Sequence, residues 1–315
     1  MKCRICGDDR GETYNIREMM YGSKTAFPYF KCGQCGCLEI IDIPRDIGNY
    51  YPADYYSFSP RNNGDSQGLR KKMKPFLMNF YLFTAGKRFL RYKAPYFLSW
   101  VVNGKANLDS KILDAGCGAG NLLHYMATWG YKNLTGIDLY VDKPVIDTRI
   151  KIYKSDIYTI QETYDFIMFN HSFEHMDKQL EVLSRASGLL NKNGTIMIRI
   201  PVLSKYIWDM YNVNWVQIDA PRHYYLHTEE SFKLLSDQAG LQIYRKEYDS
   251  TEFQFWGSEQ IKDGIPLFDK RSYGINPRLS PFTDDDIQKF RILARKLNKE
   301  YNGDMACFFL KKREG

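Results

Sequence analysis

The sequence predicts an α/β fold: a doubly wound, mostly parallel sheet preceded by a small metal-bound module. Three observations carry this. From Lys111 onward, short aliphatic runs alternate with helical segments, the pattern of βαβ units. A glycine-rich turn, Ala115-Gly116-Cys117-Gly118-Ala119-Gly120, joins the first such run to a helix. Five of the seven cysteines lie within the first 37 residues, four of them in two C-x-x-C-G knuckles.

The cysteine-rich segment comes first and occupies residues 1–45. Cys3-Arg-Ile-Cys6-Gly7 and Cys32-Gly-Gln-Cys35-Gly36 each offer two thiolates to one ion, and the glycine after each knuckle permits the turn that aims backbone N–H groups at sulfur. Four thiolates make the closed tetrahedral site of structural zinc, with Cys3, Cys6, Cys32 and Cys35 as ligands. A closed site leaves no position for chemistry; it folds a segment too small for its own core. Cys37 is a spare thiol, and Cys117 and Cys307 read as structural. The start, Met1-Lys2-Cys3-Arg4, lacks the apolar stretch of a secretion signal, which favours metal over disulfides and a cytoplasmic location. The longest apolar run, Pro75 to Ala85, is bracketed by Lys74 and Lys87 and falls short of the ~18–20 residues that cross a bilayer, so no transmembrane segment is expected.

Residues 46–110 form a linker and a basic helical region. Residues 46–66 are rich in Tyr, Asn, Pro and Gly and read as irregular; residues 67–103 read as amphipathic helix with a break near Pro95. Between Gln67 and Leu108 there are nine Lys/Arg and no Asp/Glu. Such a stretch can face an anionic polymer or touch a membrane surface, or it can be a solvated helix face packed on the main domain.

The core then spans residues 111–250. Its strands are expected at Lys111–Asp114, Asn133–Asp138, Lys151–Lys154, Asp165–Asn170, Thr195–Ile200 and Leu241–Tyr248, and its helices at Asn121–Trp129, Lys178–Leu190 and Glu229–Ala239. Thr228 caps the last helix, two glutamates sit in its first turn and Gly240 ends it. Residues 251–303 read as an insertion with a helix near Asp284–Tyr301, placed to cover an acceptor pocket. Residues 304–315 carry a final strand, Met305–Lys311.

The turn after Asp114 brings backbone close to a ligand at a helix N-terminus. A dinucleotide fingerprint would need glycine where Asn121 stands, and a carboxylate at Asp114 disfavours a pyrophosphate while suiting the amino end of a sulfonium cofactor. Asp114-Ala-Gly116-Cys-Gly118-Ala-Gly120 resembles motif I of class I S-adenosylmethionine-dependent methyltransferases, whose fold is a Rossmann-like seven-stranded sheet. The resemblance continues in order over residues 111–250. Gly136-Ile137-Asp138-Leu139 places a carboxylate where the family holds the cofactor ribose. Ser155-Asp156-Ile157 stands where it contacts adenine. Asn170-His171-Ser172-Phe173-Glu174-His175 resembles its H-x-x-E-H stretch beneath the methionine moiety. Gly188 to Gly194 stands for its L-x-P-G-G turn, with Asn191-Lys192-Asn193 and no proline. The zinc module followed by Tyr50-Tyr51-Pro52-Ala53-Asp54-Tyr55-Tyr56 is similar to bacterial methyltransferases of sugars and nucleotide-sugars. The resemblance therefore implies a methyltransferase using S-adenosylmethionine and carrying zinc.

Methylating a hydroxyl or an enolisable carbon needs a base. His171 and His175 follow the fourth strand, and His223 and His227 follow the fifth, at the sheet edge where such folds place ligands. His223 is the favoured base, Arg222 is expected to hold an anionic group such as phosphate, and His171 is expected to shape the cofactor pocket. The alternative for His223 is a histidine that orders the loop before Thr228. The acceptor expected is a small anionic sugar derivative. The alternatives are a methyltransferase of RNA or protein, using the zinc module and basic stretch for grip, and a non-catalytic binding protein that kept the fold. Against a nucleic-acid amino-methylating enzyme, the fourth strand does not run into an Asn-Pro-Pro-Tyr type of motif.

Overall fold

The computed structural model describes residues 1–52, 69–84, 94–141 and 144–313. Tyr55 and Tyr56 of the tyrosine-rich stretch and the basic run from Lys87 to Lys93 lie outside the described residues.

In chain order, β1 (Gly11–Arg17), β2 (Ala26–Cys32) and β3 (Leu38–Ile40) precede α1 (Leu69–Phe83) and α2 (Leu98–Asn103). Then come β4 (Lys111–Ala115), α3 (Asn121–Thr128), β5 (Asn133–Asp138), β6 (Val145–Ile146), β7 (Ile150–Lys154) and β8 (Tyr164–Asn170). They are followed by α4 (Gln179–Gly188), β9 (Leu190–Pro201), α5 (Lys205–Tyr211), β10 (Tyr225–Leu226), α6 (Glu229–Gln238) and β11 (Leu241–Tyr248). The chain ends with α7 (Phe253–Lys262), α8 (Asp284–Lys299) and β12 (Met305–Lys312).

The main sheet runs β11-β12-β9-β8-β4-β5-β7-β6. Neighbours from β9 to β7 pair in parallel; β6, β12 and β11 are antiparallel. It has eight strands rather than the expected seven, because the two-residue β6 hooks back onto β7 beyond the last parallel position. The central strands are buried on both faces, which is why β8 reads as a near-continuous apolar run. The expected Asn191–Asn193 turn is instead the start of β9, with Asn193 in the left-handed region at φ 67°. The Thr228 cap of α6 forms as expected: its hydroxyl accepts from the Ser231 amide, and Ser231 returns the bond.

The front three strands form a second, antiparallel sheet of order β1-β2-β3-β10, completed by two residues that lie between β9 and α6. A single apolar cluster runs from Cys3 and Tyr29 through Phe173 and Phe232 to Leu310, so the cysteine-rich segment packs into the main core. None of the helices, over the described residues, is long and apolar enough to cross a membrane.

Strand order places the site. From β4 the chain moves outward to β5 and β7, then returns to β8 on the other flank. The carboxyl ends of β4 and β8 flank the point where the winding reverses, where a crevice opens in open α/β sheets.

Candidate active site

At the end of β4 the chain turns on three glycines, Gly116, Gly118 and Gly120, at φ +81°, +52° and +74°. A Cβ on Gly116 would meet the Ser172 Cβ at 2.3 Å, because the turn is pressed against the loop leaving β8. That loop is pinned by the Ser172 hydroxyl, which donates to the Ala115 carbonyl at 2.6 Å. The Gly118 amide donates to Asp138 Oδ2 at 2.9 Å, and Asp138 Oδ1 accepts from the Tyr140 amide at 2.8 Å, so the carboxylate at the end of β5 braces the turn from the side. Asp156 caps its own loop in the same way, accepting from the Tyr158 and Thr159 amides at 3.0 and 3.2 Å.

Between these loops lies a crevice of about 440 Å³, lined among others by Gly116, Gly118, Asp138, Leu139, Asp156, Ile157 and His175. Seven of the residues expected to bind the cofactor thus share one wall. Asp114 and Asn170 face a second cavity of about 530 Å³, which Gly116, Gly118, His171 and His175 also line. Gly120 lines neither; a Cβ there would strike the Ile152 Cδ1 at 2.1 Å, so its task is to let α3 approach β7. Asp114 is buried, and that burial, with the charge of Asp138, pushes its carboxyl up to about 7. The Asn170 Oδ1 is buried with no hydrogen-bond partner among the described residues. A glycine cradle, an orphaned amide oxygen and a buried carboxyl that would gain from a nearby ammonium together fit an amino acid-bearing nucleoside cofactor.

The second cavity gathers His171, Glu174, His175 and His223 with Gln217, Asp249, Gln254 and Asp304. His171 sits at φ 54° and presents Nδ1 to Glu174 at 3.5 Å, while Nε2 faces the Arg199 guanidinium. Burial and Arg199 both lower its basicity. His175 Nδ1 donates to the Arg222 carbonyl at 2.9 Å with the Tyr51 hydroxyl 3.1 Å away. His223 Nδ1 donates to the Gln217 carbonyl at 2.7 Å. A carbonyl can only accept, so in both rings Nδ1 carries a proton, and in the neutral ring Nε2 holds the lone pair. Glu174 is shut off from water; burial raises its carboxyl, but the His171 Nδ1 contact and the attraction of the three imidazoles in their charged form outweigh that and hold it at about 2.

Two sequence expectations need correction. Arg222 does not face the acceptor. Its side chain is fully buried and committed to Asp219 at 2.6 Å, Glu18 at 3.0 Å and the Tyr50 carbonyl at 3.1 Å. It lines neither cavity, so it cannot hold a phosphate there. His227 is likewise core: its ring nitrogens meet Ser231 Oγ and Gln179 Oε1 at 3.0 and 2.7 Å, and burial lowers it to about 3. Arg199, Asp249 and Asp304 were not singled out in the sequence. Asp249 directly follows β11 and Asp304 directly precedes β12, and the antiparallel pairing of those strands brings both to the ligand edge. For Asp249 the signal was present, as the residue after an expected strand; for Asp304 there was none without the strand's direction.

At the front, the sulfurs of Cys3, Cys6, Cys32 and Cys35 all lie within 4.8 Å of one another. Cys3 and Cys35 stand 3.6 Å apart, Cys6 and Cys32 3.5 Å, and the Ile5 and Gln34 amides point at the Cys3 and Cys32 sulfurs. The module touches the active-site loop directly: the Tyr29 hydroxyl donates to the His223 carbonyl at 2.8 Å, and the Thr228 hydroxyl to the Cys35 carbonyl at 2.7 Å.

The model of a family described as "Methyltransferase domain" matches residues 85–246. No curated protein sequence matches the chain. Among solved structures, it is similar to an S-adenosylmethionine-dependent methyltransferase from Mesorhizobium loti, at 14% identity over 70% of this chain and 99% of that one, TM-score 0.43. It is also similar to the 1,6-didemethyltoxoflavin N1-methyltransferase of Burkholderia thailandensis, at 13% identity over 90% and 97%, TM-score 0.41. A third is the magnesium protoporphyrin IX methyltransferase of Synechocystis PCC 6803, at 15% identity over 66% and 94%, TM-score 0.43. The family match takes in just over half of the chain, and the chain belongs to that family: it is an S-adenosylmethionine-dependent methyltransferase of class I fold.

Proposed function

We propose that this enzyme methylates a small polyhydroxylated acceptor, a sugar, nucleotide-sugar or envelope glycan precursor, on oxygen or carbon. The observation that carries the reading is the second cavity, which shares its glycine wall with the cofactor crevice and is lined by hydrogen-bonding groups suited to hydroxyls. Its one guanidinium among the described residues, Arg199, is already paired with Asp249 at 2.7 Å, against carboxylates at Asp114, Glu174, Asp219, Asp249 and Asp304. The part of the acceptor that enters is therefore neutral or cationic. Any phosphate of a nucleotide-sugar belongs outside the cavity, which revises the expectation of an anionic group bound within it.

The cofactor supplies a methyl group on a sulfonium, a good leaving group for in-line attack. Asp138 would accept from the ribose hydroxyls, Asp156 and Ile157 would face the adenine, and Asp114 with Asn170 would meet the amino acid end. His223 would take the acceptor's proton on Nε2; its ring is fixed by Gln217, and its carbonyl by Tyr29. Enclosure supplies alignment, the larger share of catalysis in a displacement of this kind.

We further infer that the four front cysteines hold zinc. Tetrahedral thiolates at a Zn–S distance of ~2.3 Å have edges of roughly 3.8 Å, and the paired sulfurs stand close to that value at 3.5 and 3.6 Å.

The test is a screen of nucleotide-sugars and free sugars with the purified protein and isotope-labelled cofactor, reading transferred methyl by mass spectrometry. Methylation of a sugar supports the reading. Cofactor binding with no methylation of any sugar, but with methylation of RNA or protein, overturns it.

A further inference from the structure

We propose that Glu174, His175 and His223 form a second metal site, distinct from the cysteine cluster, that takes a divalent transition-metal ion in the floor of the acceptor cavity. This rests on the acceptor-cavity reading above and deepens it: the ion would gather two neighbouring oxygens of the acceptor, as in a vicinal diol or a hydroxy-ketone.

The site is built from three independent features. One ligand atom from each of the three side chains lies within 4.8 Å of the others, and all three side chains line the cavity. The two imidazoles pack at 4.6 Å between centroids, edge to face, and each donates Nδ1–H to a backbone carbonyl. That is the outer bond by which metal-binding histidines are fixed, and it leaves Nε2 as each ring's only lone pair. Glu174 supplies the third feature. Among the described residues neither of its oxygens has a hydrogen-bond partner at good geometry, although the residue is 1% exposed. Among the described residues, its closest ion-pair partners are His171 Nδ1 at 3.5 Å, at the outer limit of a hydrogen bond, and His223 Nε2 at 4.0 Å.

A buried carboxylate with no close donor is expensive, and a native fold keeps one only where something compensates it. Among the described residues no Lys or Arg meets it: Arg222 is taken by Asp219 and Glu18, and Arg199 by Asp249. A cation between Glu174 Oε1 and the two Nε2 atoms would satisfy all three at once. Two imidazoles with one carboxylate suit zinc, iron, cobalt or manganese, and leave open positions for oxygen ligands. His223 is the atom at which this inference departs from the base reading. With the ion bound, the Nε2 lone pair is a ligand, and the acceptor hydroxyl, made more acidic by coordination, would lose its proton to solvent water rather than to the imidazole.

The experiment titrates Co²⁺ into the zinc-loaded full-length protein and follows the visible spectrum. One additional equivalent should bind with d–d bands and without thiolate-to-cobalt charge transfer, which marks it as a nitrogen and oxygen site. Glu174→Gln and His223→Gln should each weaken that binding at least tenfold. Binding of S-adenosylhomocysteine by calorimetry, together with a thermal melt, shows that each variant is folded; His223→Gln serves if Glu174→Gln does not fold. Absence of a second equivalent at millimolar Co²⁺ overturns the proposal. So does binding unchanged in the folded variants, or charge-transfer bands showing cobalt only at cysteine. In each of these cases S-adenosylhomocysteine binding and sugar methylation can persist, so loss of the metal site is distinguishable from failure of the sugar reading.

Discussion

Arg222 and Glu18 meet at 3.0 Å across 204 residues of sequence, and neither side chain reaches water. Glu18 also accepts from the amides of Met20, Tyr21 and Ser23, and Arg222 also holds Asp219. The pair ties the front sheet to the loop that carries His223. Removing one partner of a buried pair leaves a stranded charge and costs about 3–5 kcal/mol. Arg222→Met should destabilise the protein by that amount in urea melts. A loss below about 1 kcal/mol would show that the tie carries no weight.

Gly116→Ala should weaken cofactor binding at least tenfold. An L-residue in the left-handed region costs about 1–2 kcal/mol, close to tenfold in affinity. The added methyl group also collides with Ser172. Calorimetry with S-adenosylhomocysteine should show at least a tenfold loss while the far-UV spectrum is retained. Unaltered affinity would mean the turn does not cradle the cofactor.

Asp114 makes cofactor binding depend on pH in a defined direction. Its carboxyl stands at about 7 in the folded chain and 3.8 when unperturbed. Between those values the folded state holds a proton that the unfolded state has lost, so this group makes the ligand-free protein less stable as pH rises from about 4 to 7. A bound ammonium favours the carboxylate and reverses the effect. Binding at pH 6 should release close to one proton, and affinity should rise up to about pH 7. Calorimetry in buffers of different ionisation enthalpy measures this directly, and proton uptake would contradict it.

His223→Ala should lower kcat by about 10²–10⁴ while cofactor affinity stays within a few fold. A residual rate within threefold of the parent enzyme would remove His223 from the chemistry, whether as base or as ligand.

Cys35→Ser should release the front metal and lower kcat more than it lowers affinity for S-adenosylhomocysteine. The module's contacts reach His223 and Thr228, whereas the glycine turn is braced by Asp138 and Ser172. Full zinc content in the variant would show that Cys35 is not a ligand.

Much of the core was legible because its signals are local. The β5 and β11 spans match the expected ones residue for residue, and the turn from Gly116 to Gly120 needs φ values that glycine adopts freely. The cap of α6 is written in four consecutive residues. What was not legible depends on distant partners. Arg222 beside His223 in a loop suggests an anion site until Glu18 is seen against it. β10 is two residues long and is a strand only because β3 lies beside it. Asp304 reaches the cavity through the direction of β12, which no local pattern encodes. The setting of Glu174, shut off from water among three imidazoles, shows only once the loop is folded.

The sheet that β10 completes makes the loop holding His223 continuous with the cysteine cluster. If those thiolates hold zinc as proposed, a chain made under zinc starvation should still grasp its cofactor and yet be catalytically blind, because what the metal orders is the seat of the acceptor.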